Sequence, residues 1–334
     1  MILVTGGTGL VGSHLLYFLL KKNKRVRAIH RKNSNLESVK KVFSLYGNES
    51  QKLFEAIEWR QADITDIPAL TAAFHDITEV YHCAAFINFN SSKYSVLKKV
   101  NVEGTANVIN LCIANGIRKI CYVSSVATFG NVQPDRLITE ETPWNPDEKN
   151  SVYGITKYGA EMEVWRGSQE GLDVLIVNPG IIFGTPPEDG GSNTLINIGA
   201  SGIPFYPTGS MGLVDVQDVA AIMIELMDSE IKNEQFILVS ENMAYKQLLT
   251  MLAPMFGKKP PTKKLWKGVM LFLSGMDWCF HKIFGTKRRI PKATVRSMFT
   301  KSSYDASKVK DRLNYSFIPI TETLQRVVAE REHH

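Results

Sequence analysis

The chain begins with Ile2-Leu3-Val4-Thr5 and passes at once into Thr5-Gly6-Gly7-Thr8-Gly9-Leu10-Val11-Gly12. A β-branched run, a glycine cluster and an amphipathic stretch in that order predict a strand, a tight turn and a helix. Glycines let the backbone bend sharply and approach a ligand closely. The helix that follows offers unpaired N–H groups and a partial positive charge at its first turn. A glycine cluster alone is weak evidence. On the first strand of a chain that goes on alternating, it predicts a cradle for a dinucleotide pyrophosphate, built from Gly6, Thr8, Gly9, Leu10, Val11 and Gly12.

The alternation continues. Strands are predicted at Ile2–Thr5, Arg25–Ile29, Ile57–Gln61, Val80–Cys83, Lys119–Ser124 and Val174–Asn178. Helices are predicted at Leu10–Lys22, Leu36–Tyr46, Pro68–Phe74, Val96–Asn115 and Val152–Glu170. Pro68 suits a first helical turn, and Asn115-Gly116 suits a helix stop. This pattern predicts an α/β fold, a Rossmann-type doubly wound parallel sheet with a smaller, mostly helical C-terminal substrate lobe. Residues 1–178 form the dinucleotide-binding part, with 214–240 returning to it. Residues 179–213 and 241–332 form the lobe. Val214–Val216 is expected as a strand, Asp218 as the cap of a helix over Val219–Met227, and Phe236–Val239 as a further sheet strand.

Composition removes other classes. Hydrophobic residues are 44% and charged residues 22%, which excludes a disordered or collagen-like chain. Cys83, Cys112, Cys121 and Cys279 form no C-x-x-C pair, so reduced thiols in a cytoplasmic protein are expected. No secretory leader precedes the first strand, and Leu265–Phe284 carries too many charged residues to span a bilayer. The terminal His333-His334 has the look of a purification tag. No residues have metal-ligand spacing. His14 is expected to be packed and His82 to make a structural hydrogen bond.

The end of the second strand distinguishes dinucleotides. A carboxylate there holds the ribose 2′-hydroxyl of NAD, whereas an arginine suits the 2′-phosphate of NADP. The sequence is Ala28-Ile29-His30-Arg31-Lys32, two cations and no acid. NADP is therefore favoured, with NAD the alternative. Asp63, after the third strand, is placed to accept from the adenine amino group; a cap shared with Asp66 is its competing role. Farther on, Tyr153 and Lys157 stand four apart at the start of a helix and share a face. A phenol with pKa of about 10 must fall about three units to work at neutral pH, and a neighbouring ammonium lowers it. The fifth strand ends in Ser124-Ser125, where a hydroxyl can hold a substrate oxygen.

Together these residues resemble the extended short-chain dehydrogenase/reductase family, the NAD-dependent epimerase/dehydratase group. The resemblance rests on Gly6, Gly9 and Gly12, Asp63, His82-Cys83-Ala84-Ala85, Asn101-Val102-Glu103-Gly104-Thr105, Ser124 through Gly130, Tyr153 with Lys157, Asn178-Pro179-Gly180, and Val214 through Ala220. It implies Ser125, Tyr153 and Lys157 as the catalytic set. It also implies cofactor contacts from Arg31, Asp63, Ile64, Ala84, Ala85, Asn101, Ser124, Tyr153, Lys157, Pro179, Gly180 and Ile182. Val126-Ala127 after Ser125 lacks the Asp-Glu pair of sugar 4,6-dehydratases. Val26 through Arg31, Arg289-Ile290-Pro291 and Tyr304 through Lys308 look like the dihydroflavonol-4-reductase and 3β-hydroxysteroid dehydrogenase-like branch. The reaction implied is hydride transfer between nicotinamide and a ketone or secondary alcohol. A nucleotide-sugar epimerase is the alternative, and a non-enzymatic NADP sensor a third reading that an intact catalytic set disfavours.

The charge is lopsided. Net charge is +6, yet residues 258–301 hold twelve cations and one acid, Asp277. That segment is +11 and the remainder −5. Its apolar residues from Leu265 to Phe284 suit core packing or a pocket lid. The cations suit a small-molecule substrate that is apolar or phosphorylated, or a peripheral contact of 258–301 with an anionic membrane. No nucleic-acid recognition motif accompanies the charge. The helices at Val96–Asn115 and Val152–Glu170 are expected to pair in a homodimer.

Overall fold

The computed structural model describes residues 1–47, 49–132, 136–185, 193–284 and 290–332. Lys287, Arg288, Arg289 and the terminal His333-His334 lie outside the described residues. In chain order the strands are β1 (Ile2–Thr5), β2 (Val26–His30), β3 (Glu58–Gln61), β4 (Glu79–His82), β5 (Lys119–Val123), β6 (Asp173–Pro179), β7 (Ile181–Phe183), β8 (Phe205–Tyr206), β9 (Ser210–Asp215), β10 (Glu234–Leu238), β11 (Glu241–Ala244) and β12 (Lys263–Lys264). The helices are α1 (Leu10–Lys21), α2 (Leu36–Ser44), α3 (Ser50–Glu55), α4 (Ile67–Ala73), α5 (Tyr94–Leu97), α6 (Gly104–Ala114), α7 (Val152–Gln169), α8 (Asn193–Ser201), α9 (Val216–Asp228), α10 (Tyr245–Met255), α11 (Lys267–Phe284), α12 (Lys292–Phe299), α13 (Ser307–Leu313) and α14 (Ile320–Glu332).

Seven parallel strands form one sheet in the order β10–β6–β5–β4–β1–β2–β3. Side chains alternate across a strand, so each central strand feeds two cores. Leu3, Val80, Ile120 and Ile176 pack with Phe74, Val108 and Val164 on the face covered by α4, α6 and α7. Val4, Tyr81, Cys121 and Val177 pack with Leu15, Leu19 and Ile222 on the face covered by α1 and α9. Each such fully buried side chain is worth roughly 1.5–3 kcal/mol, which explains the near-continuous apolar runs of these strands. Chain order reverses between β1 and β4, and ligands of such sheets bind there, beyond the carboxyl ends.

The predicted elements of the first half fall within two residues of their bounds, while α3 was not predicted. Pro68 sits in the first turn of α4, and Gly116 adopts φ +62° just past α6. The predicted helix Val96–Asn115 is instead α5, a π-helical stretch over Lys98–Glu103, and α6. The wide turn holds Asn101, whose side chain is drawn to the Phe86 backbone and to Thr156.

Beyond Pro179, Val214 lies in a strand as expected, but that strand is not part of the main sheet. β9 pairs with β7 and β11 in a separate three-stranded sheet, with Ile182 opposite Val214. The chain re-enters the main sheet only at β10. Nor does Asp218 cap a helix. β9 runs on to Asp215, whose carboxylate accepts from Gln217 N (2.7 Å) and starts α9 at Val216. Asp218 lies within the first turn and accepts from Tyr315 Oη (2.9 Å) and Ile318 N (3.0 Å). A further core, with Phe183, Ile196, Leu213, Leu248 and Leu324, joins this small sheet to α8, α10 and α14.

Candidate active site

The glycine turn lies at the reversal point. Gly6 has φ +70°, and a Cβ there would meet the backbone of Ala84 at 2.6 Å. A Cβ on Gly12 would collide with the carbonyl of Gly6. The turn after β1, the first turn of α1 and the loop after β4 are thus held backbone to backbone. Gly9 begins α1 without a side-chain cap, and no acid stands in the first turn. The N–H groups of that turn are suited to an anion. The side chain of Val11 belongs to the core, so its contribution is backbone. A glycine cradle this tight, opening a helix end of this polarity, fits a dinucleotide pyrophosphate.

Arg31 and Asp63 lie together. With Lys32, Asn33, Gln61, Ala62, Asp66 and Ala69 they line a cleft of about 490 Å³ at the ends of β2 and β3. Asp63 Oδ1 accepts from Thr65 N (2.8 Å) and Thr65 Oγ1 (2.7 Å), while Asp66 caps α4. Ile64 behaves differently. Its side chain is buried against Gly104 and its carbonyl accepts from Asn107, so it is absent from the cleft lining. Asn101 also points inward: it clamps the loop after β4 rather than facing the cleft. Ala84 N donates to Thr5 Oγ1, Ala85 is exposed in the same loop, and His82, held neutral by burial at a pKa of about 3, joins Thr5 and Thr105. That network is the structural role expected of His82. His14 is packed as expected, bonded to Tyr46 and the Thr185 carbonyl. At the other side Pro179 ends β6, Gly180 N donates to Leu238 O, and Ile182 lies in β7.

Ser125 follows β5 and starts a short 3-10 turn, its Oγ accepting from Ala127 N (3.2 Å). Tyr153 lies in the first turn of α7, which Ser151 caps. Its ring meets Phe89 edge-on at 5.4 Å. Burial pushes the phenol up to about 12, and Ser125 faces it as a hydrogen-bond partner pulling the other way. The expected fall in its pKa is therefore not supplied by Lys157. Lys157 Nζ donates to Tyr122 Oη (2.5 Å) and Val123 O (2.7 Å), lying 4.2 Å from the Tyr122 ring centroid. Burial lowers Lys157 to about 7, with the Glu161 carboxylate opposing the fall. Ser124, expected to touch cofactor, donates instead to Glu161 Oε2 (2.8 Å).

The NAD dependent epimerase/dehydratase family matches residues 2–238. The chain belongs to that family. Over 345 residues it is 28% identical to a protein of Synechocystis sp. named putative dihydroflavonol 4-reductase, covering 99% of this chain and 94% of that one. Over 304 residues it is 27% identical to sterol demethylase protein B of Methylococcus capsulatus, covering 89% of this chain and 86% of that one. The crystal structure of gox2253 superposes with a TM-score of 0.81 at 26% identity, covering 100% of this chain and 98% of that one. The chain is an enzyme of the oxidoreductase type in an NAD(P)-dependent family.

Within this epimerase/dehydratase frame, sequence reasoning missed the second layer. Glu161 is buried one turn beyond Lys157 on α7 and gathers Ser124 and Asn178. Asn178 Nδ2 also donates to Thr128 Oγ1 (3.0 Å) and Ser125 O (3.3 Å), fixing the backbone at Ser125. The Tyr153, Lys157, Glu161 spacing was visible, but a glutamate on a helix is ordinarily solvated. A second cleft, of about 720 Å³, lies between the loop before α7 and α11–α12. Lys149, Lys267, Lys292 and Arg296 line it, with Glu148 the acid among its lining residues.

Proposed function

We propose that the protein transfers a hydride between NADP and a ketone or secondary alcohol, using Ser125, Tyr153 and Lys157. The observation that carries this reading is that the first turn of α7, which holds the buried Tyr153, packs against the turn that Ser125 starts: a Cβ on Gly154 would meet the Ala127 carbonyl at 2.9 Å. When bound, the nicotinamide supplies or accepts the hydride. Ser125 orients the substrate oxygen. Tyr153 holds a proton at neutral pH and donates it to that oxygen, which suits reduction. Lys157 binds the nicotinamide ribose hydroxyls by leaving Tyr122. Arg31 and Lys32 take the 2′-phosphate, and Asp63 the adenine. Residues 179–213 and 241–332 form the substrate lobe. Tyr94, Val96, Ile155 and Met162, each about two-fifths exposed, suit a homodimer through α5–α6 and α7.

The test is an NADPH-oxidation screen over ketones, aldehydes and nucleotide sugars. Tyr153→Phe loses at least ~100-fold in rate. An unchanged rate removes Tyr153 from the mechanism. The second reading, a nucleotide-sugar epimerase, draws on the four cations of the larger cleft, which suit a diphosphate. Stoichiometric dinucleotide surviving dialysis, with no net NADPH oxidation, selects that reading.

A further inference from the structure

Helix α11 is amphipathic the wrong way round for a packed helix. Val269, Phe272, Met276, Phe280 and Ile283 recur every three or four residues on one side, and that side is the exposed one, from 41% at Met276 to 72% at Ile283. The less exposed side mixes Met270 and Leu271 with polar groups. Ser274, fully buried, donates to Ile290 O (2.7 Å), and Asp277 accepts from Ile290 N (3.2 Å). Trp266, just before the helix, is 75% exposed. An ordinary surface helix buries the apolar face and solvates the polar one. A monomer in water gains nothing from this inversion, which points to a partner that takes the apolar face.

The charge around the helix says which partner. Lys258, Lys259, Lys263, Lys264 and Lys267 precede it, all exposed, and none stands in an ion pair among the described residues. Lys282, Lys292 and Lys301 follow, exposed as well. A second copy of the chain is a poor fit, because a two-fold interface sets a patch against itself and would face this cationic field with its own image. An anionic bilayer meets both demands. It takes the aromatic and aliphatic side chains below its headgroups and attracts the lysines above them. The eighteen residues of α11 rise about 27 Å along its axis. No helix among the described residues is long and apolar enough to cross a membrane.

We propose that α11 and the lysines flanking it dock the protein on an anionic membrane surface. The larger cleft, lined by Lys267 and Leu271 from the same helix, then opens beside the headgroups. This goes beyond the catalytic proposal and does not depend on it.

The experiment is co-sedimentation of the full chain with vesicles of phosphatidylcholine alone or mixed with phosphatidylglycerol. Wild type binds the mixed vesicles at least ~10-fold better, and added salt reverses the preference. Lys263→Glu with Lys264→Glu, and separately Phe272→Ser with Ile283→Ser, each weaken binding about 10-fold or more, at unchanged melting temperature. Should the serine variant misfold, the wild-type lipid and salt dependence and the lysine pair decide alone. The proposal is overturned if wild type binds neither vesicle, if it binds both equally, or if both variants bind like wild type. It is also overturned if Phe272→Ser with Ile283→Ser converts a lipid-free dimer into a monomer, since the face is then covered by a second copy.

Discussion

Arg31→Ala tests cofactor choice without any knowledge of the substrate. In the smaller cleft the charges of Arg31 and Lys32 face the carboxylates of Asp63 and Asp66, so the four sum to zero. Removing Arg31 leaves a net negative charge in the place proposed for a 2′-phosphate. That phosphate loses a two-pronged donor, while a bare ribose hydroxyl has no such donor to lose. A charge-assisted hydrogen bond contributes about 1.5–3 kcal/mol. Arg31 is exposed, so water screens it and the lower end applies, about tenfold in Kd. The altered field adds to this: unit charges about 5 Å apart in water interact by about 0.8 kcal/mol, and the phosphate carries nearly two. The expected loss for NADPH is therefore about 10- to 100-fold, with NADH changed by less than about threefold. Calorimetric titration of both dinucleotides at low and high salt checks it, and the NADPH effect shrinks as salt rises. Equal weakening of both dinucleotides, or of neither, refutes the assignment of Arg31 to the 2′-phosphate.

Gly12→Ala places a methyl against the Gly6 carbonyl, where backbone on both sides cannot yield. At about 1–3 kcal/mol for overpacking, and about 2–4 °C per kcal/mol, differential scanning calorimetry registers a fall of several degrees, together with loss of dinucleotide binding. Glu161→Gln keeps the shape of the acceptor for Ser124 and removes its charge. The Glu161 carboxylate raises the pKa of Lys157 against burial, so its loss lets Lys157 fall below about 7. The rate limb that reports loss of the Lys157 ammonium then moves to lower pH by about one unit, read from kcat against pH. A merely structural role for Glu161 would lower the rate without moving that limb.

Much of the site was legible because its chemistry is local. Gly6, Gly9 and Gly12 are consecutive with the strand and helix they join, and Tyr153 and Lys157 lie one turn apart on a single helix. Arg31 and Asp63 end neighbouring strands of a parallel sheet, so their convergence followed from the alternation. What escaped depends on contacts distant in sequence. The pairing of Ile182 with Val214 removes β9 from the main sheet, and nothing local to Val214 reports it. Asn101 and Ile64 sit in familiar motifs, yet a π-helical turn and the bare Cα of Gly104 draw them inward. Lys157 shares a helix face with Tyr153, but Tyr122 and Val123, on a strand packed beneath α7, hold its ammonium. Spacing on one helix cannot disclose a competing acceptor on another element.

The most direct measurement is a crystal structure of the protein grown with NADP. The pyrophosphate is expected on the Gly6–Gly12 turn and the 2′-phosphate beside Arg31. The nicotinamide ring is expected against the Tyr153 hydroxyl, with Lys157 Nζ swung from Tyr122 onto the ribose. A ring lying elsewhere, or a Lys157 still bound to Tyr122 with the dinucleotide in place, contradicts the catalytic assignment.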